Sequence, residues 1–135
     1  LICMKGVKAK ITRGILVNSL IECADNTGAK VLNVIAVIGY RGVKRRMPAC
    51  GVGDMIVCSV RQGTVKWRKQ IVKAVVIRQK KEYRRKNGIR ISFEDNAAVL
   101  VNDRGEPVGT QIKGPVAREA VDRFSVIGKV ASFVV

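Results

Sequence analysis

The sequence contains no histidine, and aromatic residues make up only 4% of it. Without histidine the chain lacks the commonest general base and metal ligand, and neither a Ser/His nor a Cys/His pair can form. Its acids are few, and the one adjacent pair, Glu94-Asp95, precedes Asn96 at a strand end, where a structural role is expected. The sequence therefore predicts no enzyme and no catalytic residue.

None of the four cysteines, Cys3, Cys23, Cys50 and Cys58, belongs to a C-x-x-C pair. A structural zinc site usually shows paired, closely spaced ligands, so we predict no metal site and no other cofactor. Cys23 and Cys58 lie in apolar, strand-like runs and are expected to be small buried hydrophobes. We expect few disulfides, because the predicted location is the reducing cytosol.

No apolar run approaches the roughly 20 residues that a membrane-spanning helix needs, so no membrane partner is predicted. Lys5, Lys8, Lys10 and Arg13 interrupt any signal-peptide core. The chain opens on leucine, and we expect residues 1–3 to be an upstream start or a retained extension ahead of Met4.

Positive charge is abundant: 26 lysines and arginines face 10 acids, which gives a net charge of +16. The chain is also 47% hydrophobic over 135 residues, which suits one folded domain rather than a disordered basic tail. A folded domain this basic usually binds nucleic acid, and an anionic membrane surface is the second choice.

Residues 74–101 organise the rest of the chain. Residues 74–77 form a continuously apolar run, typical of a strand buried on both faces. Residues 78–90 follow as a charged segment around Asn87-Gly88, a strong hairpin signal because both residues tolerate positive φ. Apolar and polar residues then alternate over 89–93, as in a strand. The pattern predicts a core strand that runs out into a cationic ribbon arm, about residues 78–90, and returns.

The like charges of this ribbon arm repel one another, so they imply a polyanion that neutralises them. The alternative is a solvated hairpin whose charges keep a sheet edge soluble. The residues predicted to bind RNA come from the ribbon arm, from basic loops at 39–48 and 61–70, and from the N-terminal segment. They are Arg13, Arg41, Lys44, Arg45, Arg46, Lys66, Arg68, Lys69, Arg78, Lys80, Lys81, Tyr83, Arg84, Arg85, Lys86 and Arg90.

The chain as a whole reads as mainly β. Strands are predicted within 15–24 and at 31–38, 55–60, 71–77 and 97–101, with turns at 25–28, 49–54 and 102–107. Short strands separated by frequent turns favour a small closed β-barrel. We therefore expect a single domain over 1–135, with a basic N-terminal arm at 1–14, the barrel at 15–112 and a short helical part at 113–135.

The C-terminal part carries a helical pattern. Ala117, Ala120, Val121 and Phe124 fall on one face of a helix over about 116–124, with Pro115 near its first turn. The tail, 127–135, could be a second helical turn or a closing strand. The opposite face of the predicted helix mixes both signs of charge and is either an ordinary solvated face or a surface for a protein partner. It consists of Arg118, Glu119, Asp122 and Arg123.

Single-strand binders stack bases on several exposed aromatics, and here only Tyr40, Trp67 and Tyr83 lie in basic loops. Scarce aromatics with many cations favour folded RNA bound through its phosphates. A barrel-type protein that binds single-stranded nucleic acid is the alternative function.

Residues 74–101 resemble the signature of the universal large-subunit ribosomal protein of the "fourteen" family. The matching positions are Ala74, Val75-Val76-Ile77, Asn87-Gly88, Phe93, Asn96 and Val99-Leu100. Flanking segments are similar too: CADNTGAKVL at 23–32, AxGVGD at 49–54 and GPVARE at 114–119. The resemblance runs from about Ile11 to the end and is closer to the archaeal and eukaryotic branch than to the bacterial one.

This resemblance implies a five-stranded barrel with a projecting β-ribbon and one or two short C-terminal helices. It implies a structural constituent of the large ribosomal subunit, in the cytoplasm, that binds large-subunit ribosomal RNA and lies at the subunit interface. The implied partners are small-subunit RNA across that interface, neighbouring ribosomal proteins and an anti-association factor that docks on the C-terminal surface.

Overall fold

The computed structural model describes residues 11–39, 42, 45 and 47–135. The strands in this part of the chain are β1 (Ile15–Leu16), β2 (Leu20–Cys23), β3 (Ala29–Val37), β4 (Ala49–Cys50), β5 (Met55–Gly63), β6 (Ile71–Arg78), β7 (Tyr83–Arg84), β8 (Arg90–Ile91), β9 (Ala97–Val101), β10 (Ile112–Val116) and β11 (Ala131–Val134). The helices are α1 (Arg118–Arg123) and α2 (Ser125–Val130). Neither of these helices has the length and apolar character that a membrane crossing requires.

Five strands close into a barrel in the order β2-β3-β5-β6-β9. All neighbours are antiparallel except β2 and β9, whose parallel pairing, Glu22 with Ala97, closes the ring. Asp25 stabilises the closure, because its carboxylate accepts hydrogen bonds from the Thr27 hydroxyl at 2.6 Å and from the buried Leu100 N–H at 3.0 Å. The predicted small closed barrel and its first hairpin are confirmed.

The barrel has two apolar cores, one inside it and one outside it. Ala74 and Val76 of β6 belong to the interior cluster, whereas Val75 and Ile77 belong to a second cluster beneath β10, α1 and α2. β6 and β9 therefore have both faces buried, as the continuous apolar run at 74–77 predicted. The second core is what attaches the C-terminal part to the barrel.

The stretch 15–24, which was predicted to hold the first strand, holds two short strands, β1 and β2. A tight turn breaks it: Asn18 has a φ of 71°, which asparagine tolerates, and the Ser19 N–H donates to the Leu16 carbonyl at 3.2 Å. The break lets β1 pair with β4 outside the barrel while β2 enters it. β5 is also longer than predicted and extends to Gly63, so the basic loop is shorter.

The helix lies where the sequence predicted it, but Pro115 does not begin it. Pro115 lies within β10, a strand that the sequence did not predict, and pairs in parallel with Phe133 of β11. β10 has no other strand partner among the described residues, so a proline without an N–H is tolerated there. The tail contains both alternatives, α2 followed by β11. Ala117 and Ala120 are fully buried, which confirms the apolar face.

The ribbon hairpin is confirmed, with a different turn from the one expected. Of Asn87 and Gly88, only Gly88 has a positive φ, at 85°. The Gly88 N–H donates to the Arg85 carbonyl, and the Arg85 N–H to the Ile89 carbonyl, each at 2.9 Å. This is a three-residue loop that ends in a left-handed glycine. β8 covers only Arg90–Ile91, so the strand predicted at 89–93 is shorter than expected.

Candidate nucleic-acid interface

The β5–β6 loop, residues 64–70, presents exposed cations on a rigid frame. Lys66, Arg68 and Lys69 are all exposed. The Trp67 indole N–H donates to the Thr27 carbonyl at 2.8 Å, and the Lys66 ammonium lies 5.5 Å from the centre of the indole ring. These three predicted RNA-binding residues therefore lie together on a loop that is tied to the β2–β3 turn.

Beside this loop lies an open depression of about 370 Å³. It is lined by Lys30, Arg61, Gln62, Gly63, Thr64 and Arg68. Lys30 and Arg61 were not among the predicted site residues. They lie close together because the ends of β3 and β5 pair, with Ala29 opposite Gly63. The only signal in the sequence was a cation near the end of each strand.

The ribbon arm carries a second group of exposed cations: Lys80, Lys81, Arg84, Lys86 and Arg90. Arg90 pairs with Glu82 at 3.3 Å, and both side chains are more than half exposed, so this pair adds little stability. Arg13 is also exposed and lies next to the arm, because Gly14 packs against the Lys81 side chain.

Arg78, at the base of the ribbon arm, is buried rather than exposed. Its Nε lies 3.0 Å from Asp95 Oδ1, and its Nη1 donates to the carbonyls of Lys113 at 2.8 Å and Pro115 at 3.1 Å. Gly114, with a φ of 79°, makes room for this guanidinium, since a Cβ there would collide with it. The structure thus uses Arg78 to join the barrel to β10, and RNA binding by Arg78 stays a prediction.

Tyr83 and Arg85 turn inward from the ribbon arm and meet Glu119 of α1. The Tyr83 hydroxyl donates to Glu119 Oε1 at 2.7 Å, while Arg85 donates through Nε to Oε2 at 2.8 Å and through Nη2 to Oε1 at 3.0 Å. Arg85 Nη2 also donates to the Val135 carbonyl at 2.7 Å. We call Tyr83, Arg85 and Glu119 the ribbon latch.

The protonation of the ribbon latch follows from burial and hydrogen bonding. Burial and the hydrogen bond to Glu119 raise the pKa of Tyr83, so its hydroxyl remains a donor at neutral pH. Burial opposes ionisation of Glu119, but the hydrogen bonds from Arg85 and Tyr83 outweigh it and lower the pKa of that carboxyl. The hydrogen bond to Glu119 raises the pKa of Arg85 in turn. The pair is therefore a charged one.

The predicted protein-partner face of α1 divides into two halves. Arg118 and Asp122 are exposed. Glu119 belongs to the ribbon latch, and Arg123 holds the helix to the barrel by donating to Asp54 Oδ1 at 3.0 Å and to the Gly53 carbonyl at 3.1 Å. Of these four residues, only Arg118 and Asp122 form no such contact, and together they present both signs of charge.

Gln79 lies at the base of the ribbon arm and has a structural role that the sequence did not reveal. It is fully buried. Its Nε2 donates to the carbonyls of Thr12 and Lys81, both at 2.8 Å, and its Oε1 accepts from the Val52 N–H at 3.0 Å. It fixes the N-terminal segment against the ribbon arm. No local pattern distinguishes it from an exposed glutamine in a charged run.

Part of the predicted interface falls in the loop at 39–48. Arg45 is exposed and has a φ of 66°. Arg41, Lys44 and Arg46 lie outside the described residues, as does Tyr40. RNA binding by Arg41, Lys44, Arg45 and Arg46 therefore stays a prediction.

Aromatic side chains form no stacking platform in the described part of the chain. Tyr83 is fully buried in the ribbon latch, and the Trp67 indole N–H is bonded within the protein. Cys50 and Cys58 are buried, and burial raises the pKa of each thiol to about 12. Exposed cations on a closed barrel offer contacts to phosphates, which is typical of barrel proteins that bind RNA.

The comparisons with known proteins agree with that class. The sequence profile described as "Ribosomal protein L14p/L23e" matches residues 14–135. Proteins named "Large ribosomal subunit protein uL14" from three archaea are 57% identical (Methanothrix thermoacetophila), 55% identical (Methanocella arvoryzae) and 53% identical (Halorubrum lacusprofundi). Each match covers 98% of this chain and the full length of the relative. The chain belongs to the ribosomal protein L14p/L23e family, whose members are structural proteins and not enzymes.

Proposed function

We propose that this chain is a structural constituent of the large ribosomal subunit in the cytoplasm and binds large-subunit ribosomal RNA through its basic surfaces. The observation that carries this function is the set of exposed cations, Lys66, Arg68 and Lys69 on the loop and Lys80, Lys81 and Arg84 on the ribbon arm. They stand on a closed barrel, which holds them in fixed positions. The archaeal relatives, which match over their full length, are named as large-subunit proteins.

These cations act through phosphates rather than base edges. Lysines and arginines at separate points of a rigid surface suit the regular backbone of folded RNA, which carries most of the contacts in such complexes. The single-strand alternative needs several exposed aromatics on one face, whereas among the described residues Tyr83 is buried, Trp67 is half-buried and only Phe133 is well exposed.

A co-sedimentation experiment tests this function. The tagged chain, expressed in an archaeal host, should migrate with the large subunit on a sucrose gradient, and nuclease trimming of messenger RNA should not release it. A chain that stays at the top of the gradient, or that leaves the subunit after trimming, would exclude the ribosomal role.

The finer part of the proposal concerns the subunit interface. The chain lies there, beside neighbouring ribosomal proteins and close enough to small-subunit RNA to bridge to it. Its outward C-terminal face, Arg118 and Asp122, offers both signs of charge and suits a protein partner better than RNA. An anti-association factor that blocks subunit joining is the partner we propose for it.

Charge reversal on that face tests the docking. The pair Arg118→Glu with Asp122→Lys leaves the ribbon latch intact, so large subunits should assemble normally while binding of the factor to purified subunits weakens. Arg104→Glu with Asp103→Lys is the matched control, since it swaps the same two charges in an exposed turn and loses only the exposed Lys73–Asp103 pair, which adds little stability. Equal factor binding by both variants would refute this docking surface.

A further inference from the structure

The depression beside the β5–β6 loop collects cations from three separate segments. Lys30 comes from β3, Arg61 from β5 and Arg68 from the loop itself. Within the described part of the chain, their side chains have neither an acid nor a hydrogen-bond acceptor as partner. Like charges that converge without a counterion raise the energy of the protein alone, and an anion placed among them removes that cost.

The frame of the depression is preformed. The Thr64 N–H donates to the Gly28 carbonyl at 3.1 Å, the Arg68 N–H donates to the Thr64 carbonyl at 3.0 Å, and the Lys69 N–H donates to the Val60 carbonyl at 3.0 Å. Gly28 and Gly63 let the walls approach closely, since a Cβ on Gly63 would lie 2.8 Å from the Gly28 carbonyl oxygen. A ligand therefore finds its contacts in place and need not order a loose loop.

The lining also indicates what kind of ligand fits. It contains charged and polar residues and glycine, and no apolar side chain. The core of a protein–protein interface is mostly apolar, whereas a phosphodiester backbone offers only charge and hydrogen-bond acceptors. The depression is also open and shallow, so it suits a convex backbone better than a small molecule that needs enclosure.

We propose that this depression, the cation cleft, binds backbone phosphates of folded RNA. Lys30, Arg61 and Arg68 are its direct contacts, and the Thr64 hydroxyl is an added donor. The proposal rests on the proposed binding of ribosomal RNA and deepens it, because it adds Lys30 and Arg61 and makes the cleft a defined subsite rather than part of a diffuse positive surface.

Trp67 provides a local reporter, because it is the only tryptophan in the chain and lies half-buried in the loop that forms one wall. The experiment titrates the full chain with folded large-subunit ribosomal RNA from Methanothrix thermoacetophila. It follows Trp67 emission, its quenching by neutral acrylamide, and filter binding at several salt concentrations. Binding in the cleft should shield Trp67 from acrylamide.

The test variant is K30Q/R61Q/R68Q. The matched control is R104Q/K113Q/K129Q, three exposed cations outside the cleft, so both variants lose the same net charge. The cleft variant should bind the RNA about 10- to 100-fold more weakly than the control, and its salt slope should fall by about two to three units, since each bound phosphate contributes roughly 0.7–0.9. Arg61→Gln alone repeats the test if the triple variant melts early.

The outcomes separate the two proposals. A wild-type chain that does not bind this RNA overturns the proposed function and the cleft with it. A wild-type chain that binds, with cleft and control variants equal in affinity and salt slope, overturns the cleft alone. Shielding of Trp67 by poly-glutamate but not by the RNA would overturn it too, in favour of an acidic protein segment.

Discussion

The ribbon arm and the β5–β6 loop have similar compositions but differ in how many of their cations are paired with acids. In the ribbon arm, Arg78, Arg85 and Arg90 each pair with a carboxylate. In the described residues, no acid pairs with Arg68 or Lys69 of the loop, and hydrogen bonds of the main chain and of Trp67 hold it in place. The cations of a basic segment can therefore either stabilise the fold or bind a ligand. Whether each one pairs with a carboxylate of the protein distinguishes these two roles.

This difference changes the picture of the ribbon arm. Arg78 holds its base to β10, and the ribbon latch holds its middle to α1. An arm that is attached at two points presents Lys80, Lys81 and Arg84 in a fixed arrangement, and it shares contacts with the C-terminal part. RNA bound to the arm and a protein bound to α1 would then both lie next to the ribbon latch.

The largest expected effect on stability comes from replacing Arg78, the buried cation at the base of the ribbon arm. Arg78→Ala leaves Asp95 and two carbonyls without their partner, so the free energy of unfolding should fall by about 2–4 kcal/mol, somewhat below a fully buried pair because Asp95 is partly exposed. Urea unfolding measures it. Arg84→Ala is the control and should stay within about 0.5 kcal/mol. If both variants lost the same free energy of unfolding, paired and exposed cations would not differ in their contribution to stability.

Next in size is the ribbon latch. A double-mutant cycle with Arg85→Ala and Glu119→Ala should give a coupling energy of about 1.5–3 kcal/mol, the range for hydrogen bonds to charged groups. A coupling near zero would mean that the arm is not attached to α1 in solution.

The latch also predicts a pH dependence. The pKa of Glu119 is lowered in the folded state, so its contribution is complete above the ordinary value of 4.5 and disappears as the pH falls through the folded pKa. Wild-type stability should fall in this acidic range, and Glu119→Gln should make the fall shallower. Identical pH profiles would show that Glu119 does not hold the latch as an anion.

The sequence predicted what depends on local pattern. The run at 74–77 predicted a strand with two buried faces, Asn87-Gly88 a hairpin, and Ala117 with Ala120 an apolar helix face, and all three are confirmed. Each of these signals lies within a few residues, so the physics that causes it is visible in the sequence.

Pairings across long separations could not be predicted. Arg78 looks like the cations that follow it, and its buried state depends on Asp95 and on carbonyls of β10 brought there by the second core. The cation cleft depends on the register that places Ala29 opposite Gly63. The sequence carries the charges of both sites but not their distances, so it could not predict that Arg78 and Arg85 pair with carboxylates or that Lys30 and Arg61 lie together.

A smaller effect is expected at the tip of the ribbon arm. Gly88 has a φ of 85°, and no atom lies within 4 Å of the position of an added Cβ, so Gly88→Val costs only backbone strain, about 1–2 kcal/mol. The barrel should remain folded, as judged by far-UV circular dichroism and the melting temperature. Global unfolding of this variant would mean that the tip is part of the core and not an extension of it.

The smallest effect on stability should come from replacing the outward cations of the ribbon arm. Because stability hardly changes, the variant measures their contribution to RNA binding alone. Lys80→Gln with Lys81→Gln and Arg84→Gln removes exposed side chains that form no ion pair among the described residues, so the free energy of unfolding should change by less than about 0.5 kcal/mol per site. Binding to large-subunit ribosomal RNA should weaken, and the salt slope should fall by roughly 0.7–0.9 for each phosphate that the variant no longer neutralises.

The comparison variant is Arg85→Gln, which removes a cation that Glu119 already neutralises. Because that guanidinium is not available to phosphate, the variant should lose stability and keep its salt slope. A fall in slope with Arg85→Gln as large as the fall per residue in the triple variant would show that RNA opens the latch and takes Arg85 from Glu119. RNA binding would then convert a paired cation into one that contacts phosphate. The contrast between the ribbon arm and the β5–β6 loop would hold only for the protein without RNA.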